Sequence, residues 1–505
     1  MKQAYAWMLC ICLLFSWTCA SSENAGLPPA AQPYEAPAAL DEMRYQAELP
    51  LYLPSLDGRT LVSNLVSFTL PRGQLSARTI VNALIMQTTD SHVRSLGRGT
   101  DLHLYGRTPL EVAGGICTIN LDSSALTLEQ EDLYTLALCL ASTLEGLHDI
   151  HTVNLLIADR AVGLDVAEYL PCGSVSPRPG VELPVLWEQM RTRATPLGED
   201  PSRIPLSLNV TLYFPVRENL GMMPEVRTLA FSGQTPAILA EELIHALSEG
   251  AFYLPLTADM PDLSGLLTDG VEVSELRGGG RLLTLHFQSE LESRLTLLGL
   301  RPLNVLGALV TTLTTLIPSV GAVRIFSGST MMTSLYDEEF GMLTFDEGLQ
   351  YRRQYQELLR DTATIYLAED GYLTQCKRTL GTGLRQNLPA LLHLLSEGPT
   401  ETERSAGTTA TIPPGLDESD ILGLSVADDT LLVNLSARSA RLFSDITGDQ
   451  ERLMCYSLIT TFCEALQLSR VRFFFDGKVQ ETLGGEIYWG GVFYLNRSLI
   501  RTDRG

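Results

Sequence analysis

Cations are scarce in this chain. Its 505 residues carry 36 Lys and Arg against 59 Asp and Glu, a formal net charge of -23. That excess repels nucleic-acid phosphates and anionic head groups beyond what a local basic patch offsets, so no nucleic-acid partner is expected. Long apolar runs are missing too: outside the first eighteen residues, nothing reaches the ~18 or more apolar residues needed to cross a bilayer. Membrane contact is therefore expected only through the N-terminus. The nine cysteines include no Cys-x-x-Cys pair and no metal-type spacing. Cys139, Cys455 and Cys463 fall in apolar helical patterns, where a thiol behaves as a small buried hydrophobe. Neither a metal nor a cofactor is expected. What is present, 45% apolar and 7% aromatic residues, describes globular material of roughly three domains at about 100–200 residues each.

The N-terminus reads as an export signal. Lys2 is the only charge before Glu23, Ala4 to Trp17 is apolar, and a small polar segment, Ala20-Ser21-Ser22, follows Cys19. Ser16-Trp17-Thr18-Cys19 resembles a lipobox, in which cleavage precedes a cysteine that is then acylated, although Trp fits its second position poorly. Cleavage after Ala20 by signal peptidase I is the alternative.

Internal repetition is the most informative feature. Three extended runs each contain a Tyr, at Leu49–Leu53, Val210–Phe214 and Ala363–Leu367. Each is followed by a short alternating strand around Asn120, His286 and Asn434, then by a third strand at Val153–Ile157, Val323–Phe326 and Val471–Phe475. Leu243–Gly250 matches Leu391–Gly398 at six of eight positions, and the offset of 148 residues is the same from His286 to Asn434 and from Val323 to Val471. The Gly ending each helix suits a C-cap. A longer apolar helix precedes each third strand. Thr127–Gln130 and Thr447–Gln450 predict capping boxes at two of these helix starts, and Arg301-Pro302 a proline start for the other. The fold class expected is α+β: tandem repeats of a small mixed β-sheet covered by two helices, in β-α-β-α-β order.

The Tyr strand, the helix end Leu394–Pro399, Val433–Ser436 and the closing Val471–Gly477 together resemble the GerM domain. The likeness is best over 362–500, with a second copy at 206–332 and a diverged third at 46–170. It implies a secreted or lipid-anchored protein of sporulation or germination, with domains similar to ring-building motifs that associate side by side. The middle copy departs at His286 and the first lacks the Glu-Gly helix end, which puts a shared surface role in doubt there. The expected organisation is a signal peptide at 1–18, a flexible tether at 19–45, domain 1 at 46–170, a Pro-rich linker at 171–205, domain 2 at 206–332, a connecting segment with a helix over Asp346–Arg360 at 333–361, and domain 3 at 362–500.

Signals for chemistry are weak. Gly278-Gly279-Gly280 lacks the P-loop form and reads as a hairpin turn, and Gly381-Thr382-Gly383 lacks the third glycine of a dinucleotide fingerprint. Ser327 reads as a turn residue, and His245 and His393 as partly buried or interface residues without metal partners. Asp337-Glu338-Glu339 reads as a solvated loop, with weak calcium binding as the alternative. No catalytic, cofactor or metal residues are assigned. Cys19 is the lipidation candidate, and Tyr488, Trp489, Phe493 and Tyr494 are the candidate contact surface; a terminal hairpin capping the last sheet is the structural alternative. The expected function is non-enzymatic assembly or partner binding outside the cytoplasm, through self-association, protein partners or cell-wall contact, on a chain anchored to the outer face of the membrane or else secreted. A cell-wall-active hydrolase or other envelope enzyme is the alternative.

Overall fold

The structure, a computed structural model, describes residues 34–40, 44–71, 74–87, 89, 92–147, 150–162, 175–178, 180, 182–194, 200–252 and 256–501. The expected signal and Cys19 lie outside these residues.

Arg44–Pro54 (β1) pairs antiparallel with Leu61–Pro71 (β2), and the two make a sheet of their own. Leu110–Ala113 (β3), Ile116–Leu121 (β4), Thr152–Ile157 (β5) and Arg160–Ala161 (β6) form a four-stranded sheet in that order, with parallel pairing only between β4 and β5. Parallel neighbours need a long crossover. The helix Gln130–Leu144 supplies it and fills the space between sheet and hairpin, so Leu51, Ile119, Leu140 and Leu155 share one core.

The same construction recurs twice. Leu206–Pro215 (β7) and Met222–Phe231 (β8) form a hairpin, followed by Glu272–Glu275 (β9), Arg281–Phe287 (β10), Val320–Ser327 (β11) and Thr330–Met331 (β12), with β10 and β11 parallel. Ser334–Asp337 (β13) and Gly341–Thr344 (β14) add a small hairpin, and Leu349–Gln350 (β15) pairs with β11. Arg360–Glu369 (β16) and Tyr372–Gly381 (β17) then precede Ile421–Ala427 (β18), Thr430–Leu435 (β19), Arg470–Phe475 (β20) and Phe493–Tyr494 (β21), with β19 and β20 parallel. The helices Pro302–Leu316 and Asp449–Leu466 are the corresponding crossovers. The expected β-α-β-α-β order is present, but the first strand of each set joins a hairpin rather than the main sheet. Its partners, β2, β8 and β17, went unread in the sequence.

One hydrogen bond ties each hairpin to its crossover helix. The backbone N–H of Tyr52 donates to Thr143 Oγ1 at 3.0 Å, that of Tyr213 to Thr312 Oγ1 at 3.1 Å, and that of Tyr366 to Thr461 Oγ1 at 3.2 Å. A hairpin edge carries N–H groups that no strand satisfies, and a helical threonine in the facing turn accepts one.

Several local expectations change. Neither capping box forms: Thr127 closes a 3-10 turn, its hydroxyl bonded to Ser124 O, and the following helix has Glu129 at its N-cap. The helix after Gly448 likewise has no side-chain cap. The Arg301-Pro302 start holds, as do the glycine ends at Gly250 and Gly398, both at positive φ. Residues 171–205 hold the helix Leu183–Ala194, because Leu183, Leu186 and Trp187 share one face and join the first core. The helix expected over Asp346–Arg360 is replaced by turns, β15 and the 3-10 helix Arg352–Leu358. Gly348 at φ +71° breaks the path, and Tyr355 and Leu358 are drawn into the second core. Asp337 is not solvated: Arg301 Nε donates to its Oδ2 at 2.6 Å. Of the tether expected over 19–45, residues 34–40 instead lie against β18 and β19, where Leu424 N donates to Ala39 O at 2.9 Å, and β1 already begins at Arg44.

Candidate functional site

The aromatic cluster at the C-terminal end divides into a core and a surface. Trp489 is completely buried, with the rings of Phe473, Phe475, Phe493 and Phe443 at 5.5 to 6.2 Å. It is therefore removed from the candidate contact surface. Phe493, half-buried, packs on the same core, while Tyr488 and Tyr494 are exposed at 63% and 64%. The physical reason lies in Glu451, in the first turn of the helix Asp449–Leu466 and itself fully buried. Its carboxylate accepts from Gly484 N at 2.9 Å, Glu486 N at 2.7 Å, Ile487 N at 3.3 Å and Trp489 Nε1 at 2.9 Å. Burial raises the Glu451 pKa, but these donors outweigh it and hold the carboxyl below its ordinary range. Gly484 is required there, since a Cβ would stand 1.8 Å from Ile446 O. Glu451 is the residue sequence reasoning missed; its signal was a carboxylate in the first turn of a mostly apolar helix ahead of a Gly-rich aromatic loop.

A second cluster sits where the first and second sets of elements meet. Glu111 Oε2 accepts from Tyr213 OH at 3.0 Å and Arg352 Nη2 at 3.3 Å, and Arg352 Nε donates to Thr315 Oγ1 at 3.1 Å. Burial pushes the Glu111 carboxyl up, against the pull of Arg352 and Tyr213. Acid, phenol and guanidinium could serve proton transfer. All three side chains are shut away from solvent, however, which makes the cluster a joint between elements.

A cavity of about 630 Å³ opens between the two outer sets, with His151 on one side and Tyr366, Gln375, Arg385 and Glu464 on the other. Gln375 Nε2 donates to Tyr366 OH at 3.2 Å. The cavity offers polar and charged groups of both signs, suited to a polar segment rather than an apolar ligand. Among the described residues, no three His, Cys, Asp or Glu converge as a metal site.

The remaining candidates are structural. His245 and His393 are largely exposed and lie 3.9 and 3.6 Å from Glu249 and Glu397, one turn on. Ser327 takes its place at the end of β11, its Oγ accepting from Leu291 N at 3.0 Å. Gly278, Gly279 and Gly280 form the β9–β10 turn, all at positive φ. Cys117, Cys139, Cys376, Cys455 and Cys463 are free and buried, and burial raises each thiol, that of Cys376 and of Cys463 to about 12. Asn120 and Asn434 secure the turns after their sheets' parallel strands, accepting from Asp159 N at 3.1 Å and Gly477 N at 2.9 Å. His286 instead stacks on Phe326 at 4.6 Å.

Residues 364–481 match the Germane family model, described as sporulation and spore germination. The GerM-like resemblance thus stands on the stretch where the sequence carried it best. No curated protein matches. Among solved structures, the tandem GerMN domains of the sporulation protein GerM from Bacillus subtilis are 16% identical with a TM-score of 0.22, covering 61% of this chain and 99% of that one. The first GerMN domain of that protein is 14% identical, with a TM-score of 0.19 and coverage of 27% and 97%. A candidate lipoprotein from Clostridium perfringens is 15% identical, with a TM-score of 0.18 and coverage of 27% and 87%.

Proposed function

We propose that this chain is a non-enzymatic protein of the cell envelope, exported and anchored through Cys19 to the outer face of the membrane, that assembles with itself or with protein partners during sporulation or germination. The observation that carries the reading is the match of residues 364–481 to a sporulation and spore germination family. The recurring strand order and the Tyr–Thr bond support extending that unit to 206–332 and 46–170. Tyr488, exposed on the loop that Glu451 binds, and Tyr494, exposed on β21, supply a contact surface whose ordering is complete before a partner arrives. A cell-wall hydrolase, the second reading, would need an acid or nucleophile that a polymer can reach, and Glu111, 6% exposed, does not supply one.

Sedimentation velocity of the mature chain over a range of concentrations, run beside dye release from labelled peptidoglycan, tests the proposal. Concentration-dependent association without dye release is expected. A chain that stays monomeric and releases dye overturns it. Mass spectrometry of the mature N-terminus reads the acylation of Cys19.

A further inference from the structure

The third sheet, β18–β21, has two faces. Leu431, Val433, Leu435, Val471, Phe473 and Phe475 point into the core beneath the helices. Thr430, Leu432, Asn434, Arg472 and Phe474 alternate with them and form the opposite face. Residues 34–40, far away in sequence, lie across it. The Tyr34 hydroxyl is 3.3 Å from Thr430 Oγ1, and Arg472 stands over the Tyr34 ring at 6.0 Å. Asn434 Nδ2 donates to Pro37 O at 2.9 Å, and Leu424 N donates to Ala39 O at 2.9 Å, so Leu40 bridges the β18 edge in parallel.

Two features mark this as a built groove. The first is Gly423, whose φ is ordinary for any residue, so nothing in its own backbone calls for glycine. A Cβ there would stand 2.1 Å from Pro37 O and 2.5 Å from its carbonyl carbon. The glycine is needed for the approach of the segment alone. The second is Asn434. The amide of its counterpart Asn120 turns inward and donates to Asp159 Oδ1 at 2.9 Å, whereas that of Asn434 is given to the segment.

The segment is lightly held. Glu35, Ala38, Ala39 and Leu40 are exposed, with Leu40 at 58%, and among the described residues three hydrogen bonds join the segment to the sheet. We propose that this face is a binding groove for an extended, proline-containing peptide, and that residues 34–40 are its resident ligand, displaceable by the same segment of a second copy. The main-chain bond at the β18 edge and the Asn434 amide give affinity, while the Tyr34 seat over Arg472 and the Gly423 gap give selectivity. Every copy carries both groove and ligand, so exchange between copies swaps like for like at little cost. The partner named rests on the assembly reading above, but the groove does not.

The test is fluorescence anisotropy with a fluorescein-labelled synthetic peptide of residues 33–42. The mature chain is compared with a variant carrying Tyr34→Ala and Pro37→Gly, which loosens the resident segment, and with that variant plus Gly423→Ala. Binding to the loosened variant at least ten-fold tighter than to the parent, and its loss on adding Gly423→Ala, is expected. No binding to the loosened variant, equal binding to it and the parent, or binding indifferent to Gly423→Ala overturns the proposal. Buried Trp489, read by its emission, reports whether each variant is folded. Hydrogen exchange gives a second reading in the otherwise native chain: Gly423→Ala alone should speed exchange at the Leu424 amide, and an unchanged rate refutes the contact. Sedimentation is a separate measurement, so failure of assembly and failure of the groove are read apart.

Discussion

The three Tyr–Thr bonds offer a test that repeats itself inside one molecule. Thr143→Val, Thr312→Val and Thr461→Val each replace a hydroxyl with a methyl of nearly the same shape, removing only the acceptor. The N–H of Tyr213 is wholly buried, so its loss of a partner carries the desolvation cost of an orphaned donor, about 1–3 kcal/mol. At 1.36 kcal/mol per factor of ten, exchange of that amide should quicken roughly 5- to 160-fold. Tyr52 is half-buried, where water replaces the hydroxyl in part, so its amide should respond least. The neighbouring residues supply the control. Ser142, Thr311 and Thr460 each precede an accepting threonine and carry a buried hydroxyl with no partner among the described residues. Thr311→Val and Thr460→Val should therefore leave exchange unchanged or slower, since an unpaired buried hydroxyl is removed. Hydrogen exchange resolved to peptides spanning β1, β7 and β16 is the assay. If Thr312→Val leaves the Tyr213 amide untouched in a folded chain, or if the control substitutions act as strongly, the hairpins are not held to their helices in this way.

Other substitutions probe the joints. Glu451→Ala withdraws the acceptor of four donors and should free the loop 484–489, at a cost of at least the ~1–3 kcal/mol of one orphaned buried donor; Trp489 emission should shift to the red, and Glu451→Gln should shift it less. Arg352→Met leaves Glu111 buried without its cation and should destabilise by about 3–5 kcal/mol, whereas the double variant Glu111→Leu with Arg352→Met should recover most of that loss, as thermal unfolding will show. Asp337 is held at a pKa of about 2 by Arg301, despite burial and with help from backbone N–H groups. Because the folded value is depressed, its contribution is complete above the unfolded value near 4 and is lost as pH falls towards 2. That contribution is about 2 kcal/mol, so Asp337→Asn should abolish this part of the acid dependence of stability.

Strand and helix periodicity made much of the fold legible. The proline start at Pro302 and the glycine ends at Gly250 and Gly398 were readable because each rests on one residue's backbone limits. Of the unread hairpin partners, β17 was legible: Asp370-Gly371, both at positive φ between β16 and β17, is a two-residue turn signal, whereas β2 and β8 follow longer loops. The capping box at Thr127 failed because its hydroxyl bonds the Ser124 carbonyl instead, a competition that spacing does not show.

The sequence by itself determined the α+β class, the order of elements and the GerM-like character of the last stretch, because periodicity and chain-local backbone limits act over a few residues. Only the tertiary structure decided which aromatic side chains face water and which carboxylates are structural. Trp489 left the surface because Glu451, 38 residues away in the chain, binds its indole. Residues 34–40 found a seat on a sheet almost 400 residues further on. Contacts of that range depend on where the chain has already folded, and no local pattern encodes them.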